Sequence, residues 1–159
     1  MPAYYDVALP ITTNGSTNTQ STGPHLTLRT GTNIDAEIRG VFVAARGTGT
    51  AGSGAIRVMT YATATSSSGT TVTPAKRNPN FAAATTSALS SQTGPGSTPT
   101  TRFQIGFSQT GGSNGWVPYE PDAALVLLAG GGANGNADVN SITTSASITC
   151  DLAVEFCEH

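Results

Sequence analysis

Charged side chains are scarce in this sequence of 159 residues. Asp, Glu, Lys and Arg make up 10% of it, against roughly 25% in an average globular protein. Hydroxyl and amide groups must therefore cover much of the surface, and the chain is rich in Thr (26) and Ser (15). Thr suits the pleated surface of a sheet, while Ser and the 19 Gly favour turns. This composition predicts an all-β protein.

Acidic residues are absent from 39 to 119, although this stretch holds six of the seven cations. All nine acids lie in the two ends of the chain. Such a division can steer association with an acidic partner or with a second copy of the chain. Alternatively, the six cations simply lie on solvated faces. Because they form no dense basic patch with interleaved aromatic residues, we expect no nucleic-acid partner.

Cysteine is scarce, and long apolar runs are missing. Cys150 and Cys157 both lie in the last predicted strand, and their odd spacing places them on opposite faces. We therefore expect Cys150 to be buried and not bonded to Cys157. Two free thiols are typical of a protein made in a reducing cytosol. No run reaches the ~18 apolar residues of a membrane span, so no membrane partner is expected.

Alternation of apolar and polar residues predicts the strands. It is clearest at 33–45, 102–107 and 147–159, and an apolar run at 123–128 predicts a further, buried strand. These four segments predict one core containing Ile34, Ile38, Phe103, Ile105, Val126, Leu152, Val154 and Phe156. Shorter strands are predicted at 25–29, 55–64 and 69–73.

Loops rich in Gly, Ser, Thr and Asn separate the strands. Residues 12–23 are predicted to be a loop or flexible arm, and 108–115 and 131–141 to be turns or loops. The segment 80–91 could form a short helix, which its β-branched Thr pair weakens. Roughly eight strands in this pattern predict one domain over 1–159, a jelly-roll-like β-sandwich with an extended N-terminal arm.

Two motifs suggest enzymatic chemistry without its usual context. GTGTAG at 47–52 matches a dinucleotide fingerprint but precedes a predicted strand, where that site needs a helix. GGSNG at 111–115 matches a hydrolase nucleophile motif, with Asp138 or Asp151 and then His159 following in order. That motif requires a strand-to-helix turn, whereas this stretch joins two strands. We therefore expect no enzymatic activity.

Metal and sugar sites are also weakly indicated. His25 and His159 are the only imidazoles, and the cysteines lack the spacing of a zinc site, so no metal or cofactor is expected. GGANGNAD at 131–138 offers one carboxylate, where calcium sites use several oxygens. Exposed aromatic residues could stack on sugars or instead lock loops onto the core; the candidates are Tyr4, Tyr5, Trp116 and Tyr119.

Three stretches resemble small β-sandwich structural proteins of tailed bacteriophages, especially head decoration (cement) proteins. They are GTTVTPAKRNPNFAAATT from 69, GWVPYEPDAALVLLAG from 115 and SITCDLAVEFCEH from 147. The first departs from the commoner acidic version of the loop by carrying Lys76 and Arg77.

The resemblance implies a virion protein, made in the host cytoplasm, that forms a homotrimer and binds the major capsid protein on the capsid surface. Its partner-binding residues would lie in the proline-stiffened loop at 74–81: Lys76, Arg77, Asn78, Asn80 and Phe81. Such a loop loses less entropy on binding than a flexible one, although it could simply cross between two sheets. The alternative function is a receptor- or glycan-binding domain of a phage tail or fibre.

Overall fold

The computed structural model describes residues 1–13, 24–46, 52–61, 69–90, 99–108, 110, 112–118, 120, 123–132, 135–143 and 148–159. These residues form twelve β-strands: β1 (Ala3–Thr12), β2 (Leu26–Arg29), β3 (Ala36–Ala45), β4 (Ser53–Tyr61), β5 (Thr70–Val72), β6 (Ala75–Lys76), β7 (Ser87–Ser90), β8 (Pro99–Ser108), β9 (Ser113–Trp116), β10 (Leu125–Leu127), β11 (Asn136–Thr143) and β12 (Thr149–Glu158). Within the described ranges, no helix is long and apolar enough to cross a membrane.

The strands form two antiparallel sheets of six strands each. Sheet A has the order β10-β3-β12-β1-β6, and β9 pairs with β3 along the same edge as β10. Sheet B has the order β5-β7-β2-β11-β4-β8. The sequence-based prediction of an all-β sandwich is confirmed.

The pairing of the strands is nested, which defines the topology. β1 pairs with β12, β2 with β11, β3 with β10 and β4 with β8. Successive pairs alternate between sheets A and B, as they do when one long antiparallel ribbon rolls into a jelly roll. The three short strands β5, β6 and β7 are an insertion between β4 and β8, and they extend one edge of each sheet.

The core lies between the sheets and takes alternate residues from their strands. Five of the eight predicted core residues are buried in it: Ile38, Ile105, Leu152, Val154 and Phe156. Phe103 is partly buried and packs against them. Thus the prediction holds wherever apolar and polar residues alternate inside a long paired strand.

Two predicted core residues lie elsewhere. Val126 is 47% exposed, because β10 is an edge strand whose alternation turns Leu127 inward instead. Ile34 is only half-buried, since it precedes the first paired residue of β3. The prediction that the apolar run at 123–128 is buried is therefore wrong for part of the run, since Val126 and Leu128 are exposed.

The N-terminal segment is a strand that the sequence did not predict, and Thr12, the first residue of the predicted loop or arm at 12–23, is its last residue. β1 pairs with β12 over ten residues, from Ala3↔Glu158 to Thr12↔Thr149. Pro10 is tolerated because β6 covers β1 only at residues 5 and 6, so the missing N–H lies on an open edge. Thr13, just past the end of β1, extends this pairing by one residue, since its N–H donates to the carbonyl of Ile148. Positions 14–23 of the predicted loop lie outside the described residues.

Three further segments that the sequence predicts to be loops, turns or a helix contain strands instead. The predicted loop at 131–141 contains most of β11, which lies between β2 and β4 in sheet B. The possible helix at 80–91 contains β7, and the turn at 108–115 contains most of β9. Each strand is short or polar, so its sequence resembles a loop, and pairing with neighbours decides its conformation.

Both cysteines are free and buried, and they lie on opposite faces of β12 as predicted. Cys150 belongs to the core. Cys157 follows a register shift between Glu155 and Phe156 and pairs with Glu37 on the outer face of sheet A.

We expect the free energy of unfolding to fall as the pH rises from about 9 to 11. Burial, with a smaller contribution from Asp151, raises the pKa of the Cys150 thiol from 9.0 to about 11. The unfolded chain then ionises while the folded thiol stays protonated, which favours unfolding by up to ~1.4 kcal/mol per pH unit. Urea unfolding across this range tests it. Cys150→Ala should flatten part of the dependence, and an unchanged slope would contradict the assignment.

Candidate functional site

The predicted partner-binding loop lies where the insertion crosses from one sheet to the other. β5 belongs to sheet B, β6 pairs with β1 of sheet A, and β7 returns to sheet B. The β6 pairing is short and consists of Tyr5↔Lys76 and Asp6↔Ala75. Of the five predicted residues, Phe81 is half-buried and the others are exposed: Lys76, Arg77, Asn78 and Asn80.

The tip of the loop is held by its own hydrogen bonds. The Lys76 Nζ donates to the carbonyl oxygens of Pro79 (3.2 Å) and Phe81 (3.0 Å). Asn78 accepts twice, with its side-chain Oδ1 from the N–H of Asn80 and with its carbonyl from the N–H of Phe81, both at 3.0 Å. Such an Asx turn fixes the backbone locally. Lys76 therefore organises the loop in which it lies.

Arg77 fastens the loop to sheet A. Its N–H donates to the carbonyl of Tyr4 (3.1 Å), and its Nε lies 3.0 and 3.1 Å from the two carboxylate oxygens of Asp6. Its guanidinium also forms ion pairs with Asp6 and Glu155. The hydrogen bond to Asp6 is the largest cause of a raised Arg77 pKa. The charge expected to meet a partner is therefore compensated within the chain.

Two buried side chains fix the base of the loop. The hydroxyl of Tyr5 donates to the carbonyl of Ala82 (3.1 Å), and the N–H of Thr86 donates to the Glu158 carboxylate (2.5 Å). Burial raises the pKa of Tyr5, and the Glu158 charge raises it further. The Tyr5 ring also stacks on Phe156, with 5.4 Å between the ring centroids. The loop is thus anchored at its base and at its tip.

Arginines from the acid-free stretch 39–119 form ion pairs with carboxylates from the two ends of the same chain. Arg46 pairs with Asp151 at 2.5 Å, and Arg39 pairs with Glu37, in addition to the pairs of Arg77. The pairs of Arg46 and Arg77 join strands far apart in sequence, whereas Arg39 and Glu37 lie in the same strand, β3. The charge division seen in the sequence therefore has an intramolecular use.

The residues that follow hydrolase order are not brought together. Ser113 and Asp151 both pair with Ala44, and both line a shallow cavity of about 450 Å³ on the outer face of sheet A. His159 lies eight residues beyond Asp151, just past the end of β12, which at ~3.3 Å per residue is about 26 Å away. Asp138 belongs to sheet B. Most of the GTGTAG stretch, 47–51, lies outside the described residues.

Two of the four aromatic sugar-binding candidates, Tyr5 and Trp116, pack against other residues of the chain. Trp116 of β9 stacks on Phe103 of β8, with 3.9 Å between ring centroids and 17° between planes. This contact closes one edge of the sandwich, because the two strands belong to different sheets. Tyr5 is buried, Tyr4 is 37% exposed, and Tyr119 lies outside the described residues.

The histidines lie beside strands of different sheets, and His159 joins a cluster that the sequence did not reveal. The Nε2 of His25, which lies next to β2, is 2.6 Å from the Ser141 hydroxyl oxygen. Burial lowers the pKa of His25. His159 instead meets Glu37 and Cys157, and the three ligand atoms lie within 4.8 Å of one another. The spacing of Cys157 and His159 was visible in the sequence, but the pairing with Glu37 was not.

No family model and no curated protein matches the chain. A solved structure of the infectious bursal disease virus Gt strain is similar at 14% identity and a TM-score of 0.21, over 99% of this chain and 40% of that one. The chain thus spans less than half the length of that protein, and a likeness this weak carries no argument. The strand pairing itself defines the class of this protein: a jelly-roll β-sandwich with an anchored loop at one edge.

Proposed function

We propose that the protein is a non-enzymatic structural component of a virus particle, a capsid decoration protein of a tailed bacteriophage. It binds the major capsid protein through the loop at 74–81 and stabilises the head. The observation that carries this proposal is that the loop is both exposed and already ordered. The jelly-roll architecture, which is also found in viral capsid domains, is consistent with it by analogy alone.

An ordered loop binds at a lower entropic cost. Immobilising a flexible side chain at an interface costs about 0.5–1.5 kcal/mol, and the in-chain bonds of Lys76 and Arg77 are made before any partner arrives. Asn80 and Phe81 then present an amide group beside an aromatic ring. Interface cores combine apolar anchors with hydrogen-bonding groups in this way.

We expect Asn80→Glu to weaken binding to the capsid by about tenfold or more, equivalent to at least ~1.4 kcal/mol. The substitution places an unpaired charge at the proposed contact, whereas the bonds of Lys76 and Arg77 remain. Asn33→Glu is the matched control, because Asn33 is also exposed in a turn, between β2 and β3. The measurement is co-sedimentation with empty capsids of the phage whose genome encodes the chain.

Equal capsid binding by Asn80→Glu and Asn33→Glu would show that the loop is not part of the interface. Failure of the wild-type chain to sediment with capsids, together with binding to glycans, would replace the proposal with the receptor-binding alternative. Light scattering tests the proposed homotrimer, and a strictly monomeric protein would refute it. Cryo-electron microscopy of the particle would then locate the chain on the capsid surface.

A further inference from the structure

The outer face of sheet A carries a mixed cluster of nitrogen, sulfur and oxygen ligands. Cys157 of β12 lies directly opposite Glu37 of β3, and His159 lies two residues beyond Cys157. The Cys157 Sγ lies 3.2 Å from the His159 Nε2 and 3.7 Å from the Glu37 Oε2. The His159 Nε2 lies 3.3 Å from the Glu37 Oε1.

Two of these separations, from sulfur to nitrogen and from nitrogen to the Glu37 Oε1, match edges of a zinc tetrahedron. Zinc lies about 2.3 Å from sulfur, about 2.0–2.1 Å from nitrogen and about 2.0–2.2 Å from oxygen. Tetrahedral angles then place sulfur and nitrogen about 3.6 Å apart, nitrogen and oxygen about 3.3–3.5 Å apart, and sulfur and oxygen about 3.5–3.7 Å apart. The sulfur–nitrogen separation and the separation of nitrogen from the Glu37 Oε1 each lie within about 0.4 Å of these values. One ligand atom from each of the three residues lies within 4.8 Å of the others. We propose that Glu37, Cys157 and His159 bind Zn²⁺, with water as the fourth ligand.

The donor set favours zinc over the common alkaline-earth ions. Imidazole and thiolate suit Zn²⁺, whereas Mg²⁺ and Ca²⁺ prefer oxygen ligands. The imidazole side chain of His159 is 41% exposed, which gives the ion a path from solvent. The His159 backbone is fixed by a hydrogen bond from its N–H to the carbonyl of Asp35 (3.2 Å). The ligands are therefore held close to binding geometry and remain accessible to the ion.

Arg39 supports the carboxylate ligand. It pairs with the Oε2 of Glu37 and hydrogen-bonds to Cys157, so the Oε1 is the oxygen that faces His159. A neighbour that orients a metal ligand in this way commonly tunes affinity. On binding, the Cys157 thiol releases its proton to solvent. The thiolate and the carboxylate together then balance the two charges of Zn²⁺.

The same three residues do not form a nucleophilic triad. In such a triad the histidine uses one ring nitrogen for the nucleophile and the other for the carboxylate. Here the Nε2 of His159 is the atom closest to both partners. The Cys157 side chain is also buried, so a substrate much larger than a metal ion could not reach its sulfur. Ligand atoms of the three side chains instead lie close to one another, as the ligands of a metal ion do.

The test uses the full chain after dialysis against a chelator. We expect Zn²⁺ to raise the melting temperature by about 5–10 °C at a concentration near 100 times the dissociation constant, with no shift from Mg²⁺. Co²⁺ used in place of zinc should give a thiolate-to-cobalt charge-transfer band. No zinc-dependent shift in the wild-type chain would overturn the proposal.

Paired variants identify the ligands. Cys157→Ser should abolish the cobalt band, whereas Cys150→Ala should keep it, because only the second variant retains the Cys157 thiol. His159→Gln should lower zinc affinity by more than about 100-fold, and His25→Gln should not. His159→Gln alters an exposed side chain, so it remains informative even if Cys157→Ser folds poorly. A band that survives in Cys157→Ser, or equal zinc affinity in the two histidine variants, would assign the metal elsewhere and refute the site.

Discussion

Replacing Phe156 with Ala should lower the free energy of unfolding by about 3–5 kcal/mol. Phe156 is fully buried in β12, the strand between β3 and β1 in sheet A. Its ring also stacks on Tyr5, whose hydroxyl holds the base of the loop. The truncated side chain would leave a cavity between the sheets and remove support from Tyr5.

Urea unfolding monitored by circular dichroism measures this loss. The matched control is Val126→Ala, which also truncates an apolar side chain in sheet A, but at a position that is 47% exposed. That change should cost no more than about 0.5 kcal/mol, as is usual for surface positions. Similar losses in the two variants would show that the two-sheet core is wrongly assigned.

Replacing Asp138 with Ala should lower the free energy of unfolding by about 2–5 kcal/mol. Its carboxylate is buried on the outer side of sheet B, where the hydroxyl of Thr27 donates to it at 2.5 Å and Tyr61 also hydrogen-bonds to it. Removal leaves two buried hydroxyl groups without this acceptor. Asp138→Asn keeps an acceptor oxygen and should therefore cost clearly less.

Titration of tyrosine absorbance gives an independent readout of the same site. Burial is the main cause of the raised pKa of Tyr61, and the Asp138 charge raises it further. In Asp138→Asn the charge is gone, so the pKa of Tyr61 should move down toward its ordinary value. An unshifted titration, or equal stability losses for the Ala and Asn variants, would contradict the proposed network.

The strands that could be predicted are those whose own residues specify a buried face. In β12 the alternation of Cys150, Leu152, Val154 and Phe156 with polar residues identifies the inward side without any neighbour. Such patterns led from the sequence to the β-sandwich and to most of its core. β11 could not be predicted in this way, because Asn136, Asp138 and Asn140 are residues typical of loops.

Only the tertiary structure could show that β11 is a central strand. Its backbone groups pair with β2 on one side and β4 on the other. The outward polar side chains are also buried, and the Asp138 carboxylate is satisfied by Thr27, a residue 111 positions away. β-propensity depends strongly on such surroundings. A polar sequence therefore forms a strand when its neighbours supply the missing hydrogen bonds.

The sequence by itself determined the fold class, the faces of the long strands and the opposite orientation of the two cysteines. These properties follow from composition and from a two-residue period, which are local. The tertiary structure decided which residues meet across strands. It paired Arg77 with Asp6, 71 positions away, and placed Cys157 beside Glu37, 120 positions away. Strand order and register set these contacts, and a local pattern carries no information about which distant strand becomes its neighbour.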